Sequence, residues 1–162
     1  MIAARGMSTA MQQPFSITSA EMSDCRECAQ LLVEQLHEHG ADVSAEPLAR
    51  ILEKVVADGA AGFLLLARAD QRIVGVAYVA RILSAEHCGA VAWLEELYVA
   101  PGFRSRGIGT ALLNAVVECA RQTDIVAVDL EVDAAHRRAE SLYRRSGFRP
   151  LDRSRWVRKL EE

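Results

Sequence analysis

The sequence predicts a mixed α/β (α+β) fold, a mostly antiparallel sheet with helices on both faces and a β-α-β crossover in its second half. Three observations carry that prediction. Apolar runs of period two and segments of helical period succeed one another in the order βααβββαβαββ. Two apolar runs, residues 63–67 and 73–80, flank Arg68-Ala69-Asp70-Gln71-Arg72 and read as an antiparallel hairpin. A strand-like stretch at 94–99 passes through a tight basic turn into a helix opening at Gly107, and another strand follows it.

Taken in order, residues 15–19 form a short strand with Phe15 and Ile17 on one face. Asp24 caps the first helix, with Glu27 completing a capping box, and Cys28, Leu31, Leu32 and Leu36 form its buried stripe. After Gly40, Ser44 caps a second helix that carries Leu48, Ile51, Leu52, Val55 and Val56 inward, until residues 59–62 break it. Beyond the hairpin, a turn at Cys88-Gly89 leads into a strand at 91–99. The helix from Gly107 buries Ile108, Ala111, Leu112, Ala115 and Val116 and ends near Arg121. Residues 125–132 alternate, with Val126, Val128, Leu130 and Val132 inward. A helix over 136–145 stops at Gly147 in a left-handed turn, and strands at 148–151 and 155–160 close the chain.

At 162 residues the chain is read as one domain over 15–162, behind a small, polar extension at 1–14 that is expected to be disordered. A net charge of −3 argues against a general nucleic-acid binder, and no window is apolar enough to span a bilayer. The extension has no apolar core of the secretory kind, so a cytoplasmic location is expected. Cys25-x-x-Cys28 has no second pair to complete a zinc site, and with Cys88 and Cys119 it reads as reduced thiol. No metal is expected.

The run Arg104-Ser105-Arg106-Gly107-Ile108-Gly109-Thr110 carries the strongest chemical signal. Two glycines one residue apart let the backbone approach an anion closely. The helix start adds free N–H groups and the positive end of its dipole. A phosphate-bearing ligand fits there. The run is not a dinucleotide fingerprint, because Leu112 stands where the third glycine would be, and no Gly-Lys-Ser/Thr makes it a Walker loop.

Arg104-x-x-Gly107-x-Gly109 follows Leu97-Tyr98-Val99-Ala100-Pro101 and precedes Ala139-x-x-Leu142-Tyr143-x-x-x-Gly147-Phe148. Together these resemble the acetyl-CoA-binding pattern of the GNAT superfamily of N-acetyltransferases, over residues 15–160 and most strongly over 94–148. The stretch from Trp93 to Val99 and the Asp24-Cys25 helix start are most similar to its diamine (spermidine/spermine-type) branch. The resemblance implies a β-α-β acetyl-CoA-binding core and a single GNAT domain. It also implies transfer of acetyl to a primary amine, a small polyamine-like or amino-acid-like acceptor, by direct attack in a ternary complex. Acetylation of protein N-termini or lysines is the alternative within the family. An acyl-CoA-binding regulatory module is the non-enzymatic alternative.

The resemblance also assigns roles. Leu97, Tyr98 and Val99 would hold pantetheine along a strand edge, where Pro101 ends the pairing. Arg104, Ser105, Arg106, Gly107, Ile108, Gly109 and Thr110 would cradle the pyrophosphate, with Ala139 nearby. Tyr143 would protonate the leaving thiolate, its phenol being a suitable donor. His136 replaces the family's usual asparagine beside pantetheine and can still donate and accept one bond each. Glu95, Glu96 and Glu131 are candidates for receiving the ammonium or its proton, Glu95 and Glu96 as substrate-binding residues and Glu95 or Glu131 as the base. Strict alternation puts Glu95 and Glu96 on opposite faces of one strand. Small members of the family pair through C-terminal strands, so Arg155-Trp156-Val157-Arg158 implies a homodimer.

Overall fold

Five strands form one sheet in the order β1 (Ser16–Ser19), β2 (Gly62–Ala69), β3 (Arg72–Ser84), β4 (Gly89–Val99) and β5 (Ile125–Leu130). The first three pairings are antiparallel and β4–β5 is parallel. The parallel pair encloses α3 (Ile108–Arg121), which is the expected β-α-β crossover. Helices α1 (Cys25–Glu38) and α2 (Ala45–Ala57) lie between β1 and β2 in sequence, and α4 (Arg137–Arg145) follows β5. The computed structural model describes residues 15–132 and 137–160, so the expected extension at 1–14 and His136 fall outside the described residues. The chain forms two compact units, Met1–Glu131 and Val132–Glu162.

In the first unit helices cover both faces of the sheet. Val76 and Tyr98 join Cys28, Ala29, Leu32 and Leu52 in the core beneath α1 and α2. Gly75, the neighbour of Val76, faces the other way. A Cβ there would lie 3.1 Å from Leu112 Cδ1 and 3.2 Å from Ile108 Cγ2, so glycine lets α3 approach β3 closely. The β2–β3 turn is made by Asp70 and Gln71, both at positive φ (48° and 69°), which suits the twist of a two-residue hairpin.

Several local expectations shift. The capping box lies three residues upstream, where the Glu21 N–H donates to Asp24 Oδ2 at 2.9 Å around a 3-10 turn over Met22–Asp24. Asp24 is free to do this because its carboxylate serves tertiary structure, pairing with Arg68 of β2 at 2.7 Å. Burial pushes the Asp24 carboxyl up, but Arg68 and the Glu21 N–H outweigh that push and hold it below its ordinary value. The buried stripe of α1 runs Cys25, Cys28, Ala29, Leu32 and Gln35, so a glutamine takes the place expected for Leu36. Burial pushes the Cys28 thiol up to about 12. In α2, Ala49 is buried and Ile51 is exposed, since Ile51 falls outside the face that α1 and β2 cover.

Val126 on β5 and Val132 beyond its end are exposed rather than inward. Among the described residues β5 is the last strand of the sheet, and a Cβ added at Gly89 would lie 2.9 Å from Val126 Cγ1, so glycine there leaves room for Val126. No strand forms over 148–151 or 155–160. Pro150 lacks a ladder donor, and Trp156 and Val157 stand side by side instead of alternating with polar residues. Among the described residues no helix is long and apolar enough to cross a membrane.

Candidate active site

The site begins where two strands part. β4 pairs with β5 from Ala90 to Leu94, the last pair being Leu94 with Leu130. From Glu95 to Val99, β4 runs on with β3 alone. At the same point Tyr78 pairs with Glu96 and Val79 with Leu94, so Glu95 is the extra residue of a β-bulge. Each last paired leucine is followed by a glutamate, Glu95 on β4 and Glu131 after β5. Two of the three expected carboxylates are thus brought to the mouth of the opening, and Glu96 stands beside them.

The register decides which backbone groups the open edge presents. The Ala100 N–H donates to the Val74 carbonyl at 2.9 Å, so residues 74 and 100 form a hydrogen-bonded antiparallel pair. Pairs then alternate, and Tyr98 spends its N–H and C=O on Val76 while Leu97 and Val99 turn theirs outward. Of the three expected strand-edge residues, Leu97 can offer both backbone groups to an extended ligand and Val99 its N–H, the Val99 carbonyl already accepting from Arg104. Tyr98 offers neither, and contributes its side chain instead.

Past the edge, a 3-10 turn over Pro101–Phe103 reverses the chain. Arg104 then clamps it. Its Nε–H donates to the Val99 carbonyl at 2.8 Å, its guanidinium lies 5.4 Å from the centre of the Tyr98 ring, and Nη2 reaches Glu38 of α1 at 3.4 Å. Arg104 is therefore a brace between strand, loop and helix. Arg106 stacks over Phe103 at 5.3 Å and is exposed. Ser105 (φ 64°) and Gly107 (φ 83°) take left-handed backbone, which curls the loop N–H groups into a concave cradle. A Cβ at Gly107 would meet nothing within 4 Å, so the demand for glycine there is conformational.

Gly107 is the N-cap of α3, and the first helical bond runs from the Ala111 N–H to the Gly107 carbonyl at 2.9 Å. The amides of Ile108, Gly109 and Thr110 precede any intrahelical partner. No acidic residue stands in the first turn to compensate the dipole, and Ile108 is buried at 2% exposure, fixing the helix start against β3. A diphosphate fits this end of α3, and an extended amide-bearing arm fits the edge at Leu97 and Val99. That is the pair of demands CoA makes. Among the described residues no cluster of three or more His, Cys, Asp or Glu could hold a metal.

The carboxylates differ in setting. Glu95 is exposed, and its charge, after burial, raises the Tyr78 hydroxyl above its ordinary pKa. Tyr78 packs against the α1 and α2 core, on the face that Glu96 serves. The bulge at Glu95 interrupts the two-residue period on which the expected opposition of Glu95 and Glu96 rests. Glu96 is half-buried and accepts a bond from Gln35 Nε2 at 2.7 Å. Tyr98 donates to Glu34 at 3.4 Å, and burial followed by the charges of Glu38 and Glu34 raises its pKa. Glu34, Gln35 and Glu38 were not anticipated. The signal lay in the α1 stripe, where a glutamine occupies an apolar position seven residues after Cys28.

The second unit carries Ala139 and Tyr143 on α4, both half-buried. Gly147 (φ 88°) ends the helix in a Schellman motif, with the Phe148 N–H on the Tyr143 carbonyl at 3.0 Å and the Gly147 N–H on that of Arg144 at 3.2 Å. The Tyr143 and Phe148 rings meet edge to face, 5.9 Å between centres.

Residues 26–148 match the sequence profile of the acetyltransferase (GNAT) family. An uncharacterized N-acetyltransferase of Methanocaldococcus jannaschii is 43% identical over 58 residues, 36% of this chain and 26% of its own, so the chain spans about a quarter of that relative's length. Among solved structures, a possible acetyltransferase from Clostridium difficile 630 superposes with a TM-score of 0.79 at 19% identity, covering 91% of this chain and 99% of that one. A predicted acetyltransferase from Clostridium acetobutylicum, solved with acetyl-CoA, gives 0.75 at 20% identity, covering 89% and 96%. The profile takes in α1, the open stretch of β4, the cradle at the start of α3 and Tyr143, and on that match the chain belongs to the acetyltransferase (GNAT) family.

Proposed function

We propose that this chain moves an acetyl group from acetyl-CoA to a primary amine, by direct attack in a ternary complex. The observation that carries this reading is the coincidence of two features. The strand edge left open beyond Leu94 runs straight into the anion cradle at Ser105 and Gly107. Leu97 and Val99 hold the pantetheine arm, and Ser105 to Thr110 hold the pyrophosphate, with Arg104 bracing both. The amine nitrogen attacks the thioester carbon and the carbon–sulfur bond breaks. The ammonium's proton passes to Glu95 or Glu131, and the Tyr143 hydroxyl protonates the departing thiolate.

The acceptor is small and cationic, polyamine-like or amino-acid-like. Four carboxylates, Glu34, Glu38, Glu95 and Glu96, stand within reach of the α1–β4 face against one arginine, Arg104. Glu95 and Glu96 lie in the stretch from Trp93 to Val99 that, with the Asp24-Cys25 helix start, resembles the diamine branch.

Calorimetry with CoA should show affinity falling steeply in Gly107→Glu and Gly109→Glu, since each puts a carboxylate where the pyrophosphate sits. Undiminished binding would reject the cradle. Release of CoA should then be screened against polyamines, amino acids, aminoglycosides and peptides. Turnover of peptides alone moves the function to protein acetylation, and CoA binding without any acceptor makes the chain a regulatory module.

A further inference from the structure

Gln35 is an unusual residue in α1. It is 92% buried (8% exposed), in a stripe otherwise made of Cys25, Cys28, Ala29 and Leu32. Its Nε2 donates to Glu96 Oε2 at 2.7 Å, while its Oε1 is buried with no hydrogen-bond partner. The amide is oriented by its neighbour, because a carboxylate oxygen accepts and so must face the NH₂ group. An orphaned buried acceptor destabilises a fold, and a leucine here would continue the apolar stripe without that penalty. The amide is thus held for what it does to Glu96.

Glu96 stands in the stretch of β4 that β5 no longer pairs, two residues past Leu94, and on the face toward α1. Tyr78 of β3 pairs with it, and the same α1–β4 face carries Glu34, which accepts from the Tyr98 hydroxyl, and Glu38, which meets Arg104. With Gln35 Nε2 on one oxygen of Glu96, the other oxygen has a defined direction.

We infer that Gln35 is a positioning residue that aims the Glu96 carboxylate at the acceptor's ammonium, so that Glu96, rather than the exposed Glu95, is the anchor for the cationic acceptor. The inference rests on the proposed acetyl transfer to an amine and names the anchor of that acceptor. The acceptor class is a diamine or a longer polyamine, whose second cation meets the charge of Glu34 and Glu38.

The test uses the full chain, acetyl-CoA and two probes, 1,4-diaminobutane and 1-aminobutane. Gln35→Met keeps the side-chain length and removes the orphan, so its melting temperature should match or exceed that of the wild type. Glu96→Gln covers the case in which Gln35→Met fails to fold. Each variant should raise KM for 1,4-diaminobutane about tenfold, with kcat within about twofold and acetyl-CoA affinity unchanged. The preference for the diamine over the monoamine should shrink in both. A folded Gln35→Met with wild-type KM overturns the inference, as does a loss confined to kcat. Calorimetry of 1,4-diaminobutane on the CoA-loaded protein separates the two readings. Binding that weakens in both variants without any turnover upholds the anchor and defeats acetyl transfer. Turnover with KM untouched by Glu96→Gln upholds transfer and defeats the anchor.

Discussion

Tyr143 carries two separable features, a hydroxyl and a ring. The ring packs edge to face on Phe148 within the Schellman motif, and phenylalanine preserves that packing. If the hydroxyl protonates the thiolate, Tyr143→Phe should lower kcat by about 10²-fold with CoA affinity nearly intact. Steady-state kinetics beside calorimetry checks this, and full kcat in the variant would end the assignment. Residues differ in how far local sequence exposes them. Gly107 was legible because its left-handed backbone is one that only glycine adopts without strain. Ser105 adopts the same region, yet nothing local announces it, since a serine is at home in any loop. Gln35 was passed over because its meaning comes from Glu96, not from its neighbours in α1.

At the scale of elements, the ion pair between Asp24 and Arg68 fastens the start of α1 to β2. The pair is mostly buried, with the Asp24 side chain 13% exposed, so Asp24→Asn should cost about 1–3 kcal/mol at neutral pH. The Asp24 carboxyl lies below its ordinary value in the folded chain. Its stabilisation is therefore fully present above the unfolded pKa and is lost as pH falls through the lowered folded one. Thermal melts of wild type and Asp24→Asn should differ most at neutral pH and converge below about pH 4. A gap that widens in acid would refute the ion pair as the cause. Element order and type were readable as far as α4 because periods of 2 and 3.6 are printed in the apolar residues. The capping box was misplaced by one turn because Asp24 satisfies two partners, and the sequence does not rank them.

For the whole molecule, Leu151, Trp156, Val157 and Leu160 are the exposed apolar residues of the C-terminal segment, Trp156 at 91% exposure. Apolar side chains so exposed are candidates for contact with a partner. A homodimer formed through them remains our proposal, now without the strand edge that first suggested it. Light scattering at micromolar concentration should give twice the chain mass, and Trp156→Asp should return it to the monomer. A monomeric wild type rejects the proposal.

By itself the sequence determined the α/β class, the crossover around α3 and the glycine-capped start of that helix. Each follows from local chemistry: apolar period, a glycine at positive φ, and the free amides of a helix end. The tertiary structure alone decided three other things. Pairing register chose Leu97 and Val99 over Tyr98 for the open edge. A bulge at Glu95 interrupted the two-residue period of β4. Folding brought Gln35 to Glu96 across 61 residues of chain. Register, bulges and cross-chain contacts depend on partners far away in sequence, and a residue carries no local mark of a neighbour it meets only after folding.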